Sequence, residues 1–224
     1  MSESTAAGAL SATPRTTLRR GRDKGRVARE DLYAVLRAAF VCHLGVDVDG
    51  VPMVVPTVYG FDDDRLYLHG SVASRSLTGP GATVCVTVTV VDGLVLARSM
   101  FEHSVNYRSA MIYGTPQVLT DQRDKLDALR IVSEHVTPGQ WDYARRPSPK
   151  ELAATTMLAL PLDEASVKLR SGPPDDADSP DAELGLWAGE LPLRASWQEP
   201  VSDPALSPAV PPPPHVLALA ARPA

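Results

Sequence analysis

Between Phe40 and Val48 the apolar residues fall on every second position, and the same period of two returns between Ala82 and Val91, where Val84, Val86, Val88 and Val90 alternate with Cys85, Thr87 and Thr89. Side chains of a strand point alternately to its two faces, so this pattern requires strands with one face buried. The first run ends at Asp49-Gly50 and a second β-rich run follows. That dipeptide tolerates the positive φ of a tight turn and marks a hairpin. Pro52 and Pro56 predict that the second arm is interrupted or lies partly at a sheet edge, where a missing N–H costs no ladder bond.

Further strands are expected at Arg65–His69, along "SVNYRSAMIYGTPQVLT" with a break at Gly114, at "TTMLALPL" and at "SVKLRSG". Helices are few. "AREDLYAVLRAAF" repeats Leu32, Val35, Leu36 and Ala39 at helical spacing. "DQRDKLDALRIVSEHV" begins at the capping residue Asp121 and carries a stripe of Leu126, Leu129, Val132 and Val136, and a short helical patch starts at Ser148. Many short strands with few helices between them predict a mainly β (α+β) fold, an antiparallel barrel rather than a doubly wound parallel sheet. Residues 1–17 are small and polar, and residues 194–224 run into a Pro- and Ala-rich stretch, so both are expected to be disordered tails around one domain at 18–193.

The formal charge is −5, which argues against a nucleic-acid partner. The apolar run Val216–Ala221 is far shorter than the roughly 20 residues needed to cross a bilayer, and the N-terminus has no cationic start followed by an apolar stretch, so a cytoplasmic protein without membrane contact is expected. Cys42 and Cys85 lie in strand-like runs, where a free thiol serves as a small buried hydrophobe. His43 reads as a partly exposed strand residue. With His103, His135 and His215 it shows no metal-ligand spacing, and no metal is expected. The GxGxxG fingerprint and the Walker loop are both missing.

Two stretches are candidates for chemistry. In "HGSVASRS", a helix starting near Ser71 would offer N–H groups and a positive dipole end, and the serine hydroxyls with Arg75 would add donors suited to phosphate. The same residues also read as a helix cap followed by a surface arginine. In "EHSVNYRSAMIYG", Ser104, Asn106 and Arg108 share one strand parity and Val105, Tyr107 and Ser109 the other, a pattern that fits a ligand edge or a barrel exterior. Lys168 and Arg170 either contact a phosphate or are solvated.

The succession "LYLHGSVASRSL", a Val-rich strand, "SVNYRSAMIYGTPQVLTDQRDKLDALRIVSEHV", "VKLRSGPPDD" and "LGLWAGELPL" resembles the pyridoxamine 5'-phosphate oxidase-like FMN-binding split barrels, in particular the branch with nitroimidazole-resistance proteins. The likeness runs from Arg19 to Leu193. It implies a split barrel that forms a homodimer with FMN at the subunit interface. His69, Gly70 and Ser71 match the strand end along the isoalloxazine, Ser74 and Arg75 the phosphate contacts, and Tyr107, Arg108 and Ser109 the cofactor contacts of the later strand. Trp187 matches a C-terminal segment near the site, and His69 a histidine near the reactive part. The implied activity is an FMN-dependent oxidoreductase acting on a small organic substrate such as a nitroaromatic compound. The alternatives are a noncatalytic flavin carrier or sensor and a split barrel using deazaflavin or haem. The basic C-terminal residues that grip substrate phosphate in pyridoxamine phosphate oxidases have no counterpart in "LWAGELPLRASWQEP", which sets that substrate apart.

Overall fold

A computed structural model describes residues 8–72, 74, 81–207 and 210–222. Its described strands form one antiparallel sheet: β1 (Gly25–Arg26), β2 (Val41–Val48), β3 (Val51–Phe61), β4 (Arg65–Ser71), β5 (Val84–Leu96), β6 (Ser104–Gly114), β7 (Gln117–Leu119), β8 (Thr155–Pro161), β9 (Glu164–Arg170) and β10 (Gly189–Pro192). The order is β1-β9-β6-β5-β2-β3-β4-β8-β7, with β10 added to β5. The helices are α1 (Arg29–Arg37), α2 (Gln122–Val136), α3 (Gln140–Tyr143), α4 (Pro149–Ala153) and α5 (Pro214–Ala220).

The alternation seen in the sequence is the inside-outside alternation of a curled sheet. Cys42, Leu44, Val84, Val86, Val88, Ala110 and Ile112 point inward to the main core, which α1 closes with Leu32, Tyr33, Val35 and Leu36. The β2–β3 turn places Asp49 at φ 56° and Gly50 at φ 78°, as a two-residue primed turn demands. β3 is continuous through both prolines. Its residues 51–58 pair with β2 on one side, and only Tyr59–Phe61 pair with β4 on the other. Pro52 and Pro56 therefore lie where β3 is an edge, and the chain passes from one part of the sheet to the other near Gly60.

On the outer face α2 covers β3 and β4. It buries Ala128 and Val132 against Tyr67, Leu119, Met157 and Ala159, with Leu129 and Ile131 partly covered. The buried side of α2 is thus turned toward Ala128 from the expected Leu126–Leu129–Val132–Val136 stripe. The physical reason is close approach: Ala128 and Gly60 are the small residues that let the helix lie on the strand.

The described chain on either side of the expected domain contacts the barrel. Leu10 and Thr16 are buried, Thr13 and Arg15 bond Glu164 on β9, and Ala9 bridges Ala28, so the segment from Ala9 to Thr17 is laid onto the barrel. Beyond residue 193, Trp197 stacks on Phe40 and α5 docks through His215, whose Nε2 lies 2.9 Å from Gln140 Oε1. A few aromatic anchors order a segment whose composition lacks periodicity.

Candidate functional site

β4 brings the histidine to its position. Leu66 and Leu68 enter the main core, which turns Tyr67, His69 and Ser71 to the outer face beside α2. His69 lies across from fully buried Met157 of β8, with Gly70 opposite Thr156 and Ser71 opposite Thr155. Burial pushes the His69 pKa below its ordinary value, so the ring is neutral at pH 7. Its Nδ1 is buried and, among the described residues, has no hydrogen-bond partner. Leaving such a group unsatisfied costs about 1–3 kcal/mol, which sets His69 apart from the hydrogen-bonded polar groups around it.

β4 runs to Ser71, the Ser74 N–H donates to the Ser71 carbonyl at 2.9 Å and the Val72 N–H to the Ala154 carbonyl, and the helix expected from near Ser71 falls mostly outside the described residues. The pairing of β4 with Thr155 on β8 holds Ser71 in the extended conformation. Ser71 is exposed and Ser74 half-buried, whereas Arg75 lies outside the described residues.

The three residues expected on β6 fall on two faces of the strand. Asn106, Ala110 and Ile112 are buried, which carries Arg108 to the inner side of the strand, while Tyr107, Ser109 and Met111 alternate to the outer side. Arg108 donates from Nε and Nη2 to the two carboxylate oxygens of Asp92 at 2.9 and 2.7 Å. This fork holds the Asp92 carboxyl below its usual pKa. Asp92 is the extra residue of a bulge between Val91 and Gly93. β10 crosses so closely there that a Cβ on Gly93 would lie 2.7 Å from the Leu191 carbonyl oxygen.

Beside this pair Asn106 joins two charged residues. Its Oδ1 accepts from Arg170 Nη1 at 2.5 Å and its Nδ2 donates to Glu190 Oε2 at 2.5 Å. Arg170 is only 7% exposed and also donates to the carbonyls of Gly172 and Pro173, so it is not solvated. The Asp92–Arg108 pair and the Arg170–Asn106–Glu190 chain were not anticipated. The signal for the first was available: an Asp-Gly dipeptide inside a valine-rich strand marks a bulge.

Trp187 is 69% exposed, with its ring folded against Gly189. Cys42 and Cys85 are free, and burial pushes the Cys42 thiol up to about 12, which leaves it inert as a nucleophile. Among the described residues no three His, Cys, Asp or Glu side chains are grouped to hold a metal ion, and no helix is long and apolar enough to cross a membrane.

The outer face of β6-β5-β2-β3 carries half-buried Tyr107 and Ser109 and exposed Thr89, Val91, Val54 and Pro56, with the charge of Asp47 near the β2–β3 turn. Three strands separate β6 from β4 in the sheet. Tyr107 and Ser109 are therefore four strand spacings, each about 4.8 Å, from His69 in one chain.

Residues 28–169 match the family model described as pyridoxamine 5'-phosphate oxidase. The chain belongs to the pyridoxamine 5'-phosphate oxidase family. Within this split-barrel family it is similar to the flavocytochrome Anf3 from Azotobacter vinelandii, with 36% identity over 92% of this chain and 97% of that one and a TM-score of 0.88. It is also similar to the FAD and heme binding protein from Mycobacterium smegmatis, with 38% identity over 88% of this chain and 97% of that one and a TM-score of 0.82. A protein described as a 5-nitroimidazole antibiotic resistance protein, from Bacteroides thetaiotaomicron, shares the fold at 24% identity over 64% of this chain and 85% of that one, with a TM-score of 0.55. No curated protein matches the chain.

Proposed function

We propose that this member of the pyridoxamine 5'-phosphate oxidase family is a dimeric redox protein that binds a flavin and, at His69, a haem. The observation that carries the reading is the His69 ring, neutral because it is buried and with an Nδ1 that no described residue satisfies. A neutral imidazole on a rigid strand is the form of histidine that ligates iron. Two relatives above 30% identity are a flavocytochrome and an FAD and heme binding protein, which supports the haem and favours FAD over the FMN expected from the sequence. A bound flavin exchanges hydride or single electrons, and haem exchanges single electrons.

The chain's residues supply position and electrostatics. The backbone of His69–Ser71 and the turn to Ser74 form one wall of the flavin site. Tyr107 and Ser109, on the outer face of β6, form the opposite wall from a second copy, because one chain cannot bring them to β4. Arg108 is committed to Asp92 and takes no part in that wall. A small reducible organic molecule, a nitroaromatic compound among them, is the substrate class.

The test is the absorption spectrum of the purified protein, with the released flavin identified by chromatography. Flavin bands together with a Soret band that is lost in His69→Ala while flavin stays bound are expected. Flavin without a Soret band after haem is offered removes the haem and leaves a flavin-only oxidoreductase. A protein that retains neither group overturns the proposal.

A further inference from the structure

We infer that the inner mouth of the barrel is a second ligand site, built for a small organic dianion bearing phosphate or carboxylate groups. A cleft of about 670 Å³ opens between β5, β6, β9 and the segment from β10 to Ala195. That volume is in the range of small-molecule pockets. Four guanidiniums line it, from Arg26, Arg108, Arg170 and Arg194, against two carboxylates, Asp92 and Glu190. The cleft thus carries a surplus of two positive charges on a chain whose net charge is −5.

Both carboxylates are engaged, Asp92 by Arg108 and Glu190 by Asn106. Among the described residues the buried Arg170 has one ion-pair partner, the exposed Asp175 at 3.9 Å, and reaches Glu190 only through Asn106. A buried guanidinium whose counter-ion is distant and exposed to water raises the local potential for an anion. Arg108 leaves its Nη1 without a partner among the described residues. Arg26 and Arg194 donate only to backbone carbonyls near them, of Asp23, Gly25 and Leu193, and neither is in an ion pair among the described residues. Leu169, Pro192 and Leu193 add apolar wall, which suits an organic body behind the anionic groups. The cleft draws no residue from β3, β4 or β8, so it does not include His69.

The experiment is calorimetric titration of the full-length protein as purified, at low ionic strength, with inorganic pyrophosphate and separately with succinate, while the cofactor absorbance is followed. Saturable binding is expected, weakened about tenfold or more in Arg26→Gln and in Arg194→Gln, the scale of one lost charge-assisted contact. These two side chains are exposed and hold no other side chain in place. Pyrophosphate binding alone identifies a phosphate ester as the ligand class, and succinate binding alone a dicarboxylate. Absence of saturable binding, unchanged affinity in the double variant, or release of bound flavin as the probe enters overturns the inference. The last result would assign the cleft to the cofactor itself.

Discussion

Gly60 lies where β3 passes beneath α2, and a Cβ at that position would be 2.6 Å from the Val132 N and Cα atoms and 2.8 Å from the Ile131 carbonyl carbon. All three are helix backbone, which cannot swing aside as a side-chain tip can. Gly60→Ala should lift α2 from the strand and cost about 1–3 kcal/mol, the range for overpacking, read from the urea midpoint. An unchanged midpoint would mean that α2 moves freely on β3. A second residue-scale expectation concerns pH. Burial lowers the pKa of both His69 and His135 from 6.5, and His135 keeps its Nε2 2.9 Å from the Ala39 carbonyl oxygen. The unfolded chain takes up these protons first as the pH falls, so the stability held by the neutral rings is complete above about 6.5 and is lost below it. The thermal midpoint should drop between about pH 7.5 and about pH 5.5, less steeply in His135→Gln; equal slopes in the two proteins would remove His135 from the cause.

Asp121 shows how an element is fixed by one side chain. Its Oδ1 accepts from the N–H groups of Arg123 and Asp124 at 2.8 and 3.1 Å, satisfying two donors that the first turn of α2 leaves open. Asp121→Ala should cost about 1 kcal/mol in chemical denaturation, and Asp121→Asn much less. This cap was legible in the sequence because it is a local arrangement, as were the Asp49-Gly50 turn and the period-two strands. What could not be read depends on contacts distant in the chain. Ser71 is extended because β4 pairs with β8 as far as Thr155, a partner 84 positions along the chain. In the same way strand parity leaves Arg170 open between a phosphate contact and solvent, and its burial follows from Asn106, 64 positions away, and from the turn at Gly172. The candidate site was half legible: parity separated Arg108 from Tyr107 and Ser109, and the Asp-Gly dipeptide marked the bulge, yet the sequence did not show that Asp92 would meet Arg108, 16 positions away.

At the scale of the whole molecule the outer sheet face is an exposed apolar surface. Val54 is 66% exposed, Val91 44% and Met111 38%, in a region of sheet where helix α2 gives no cover. Exposed apolar surface of this kind marks an interface, and interface cores are depleted of charge, as the middle of this face is. The flavin reading needs the same association, since Tyr107 and Ser109 reach β4 only from a second copy. Sedimentation of the purified protein should therefore give about twice the 23.9 kDa of one chain. A lysine placed in the middle of the face, by Val91→Lys or Met111→Lys, would have to be desolvated in the dimer and should shift it to monomer. Loss of the dimer and of bound flavin in the same variant, with the far-ultraviolet circular dichroism unchanged, is the outcome that ties the site to association. A monomer that keeps its flavin would place both walls of the site within one chain and end the two-copy reading.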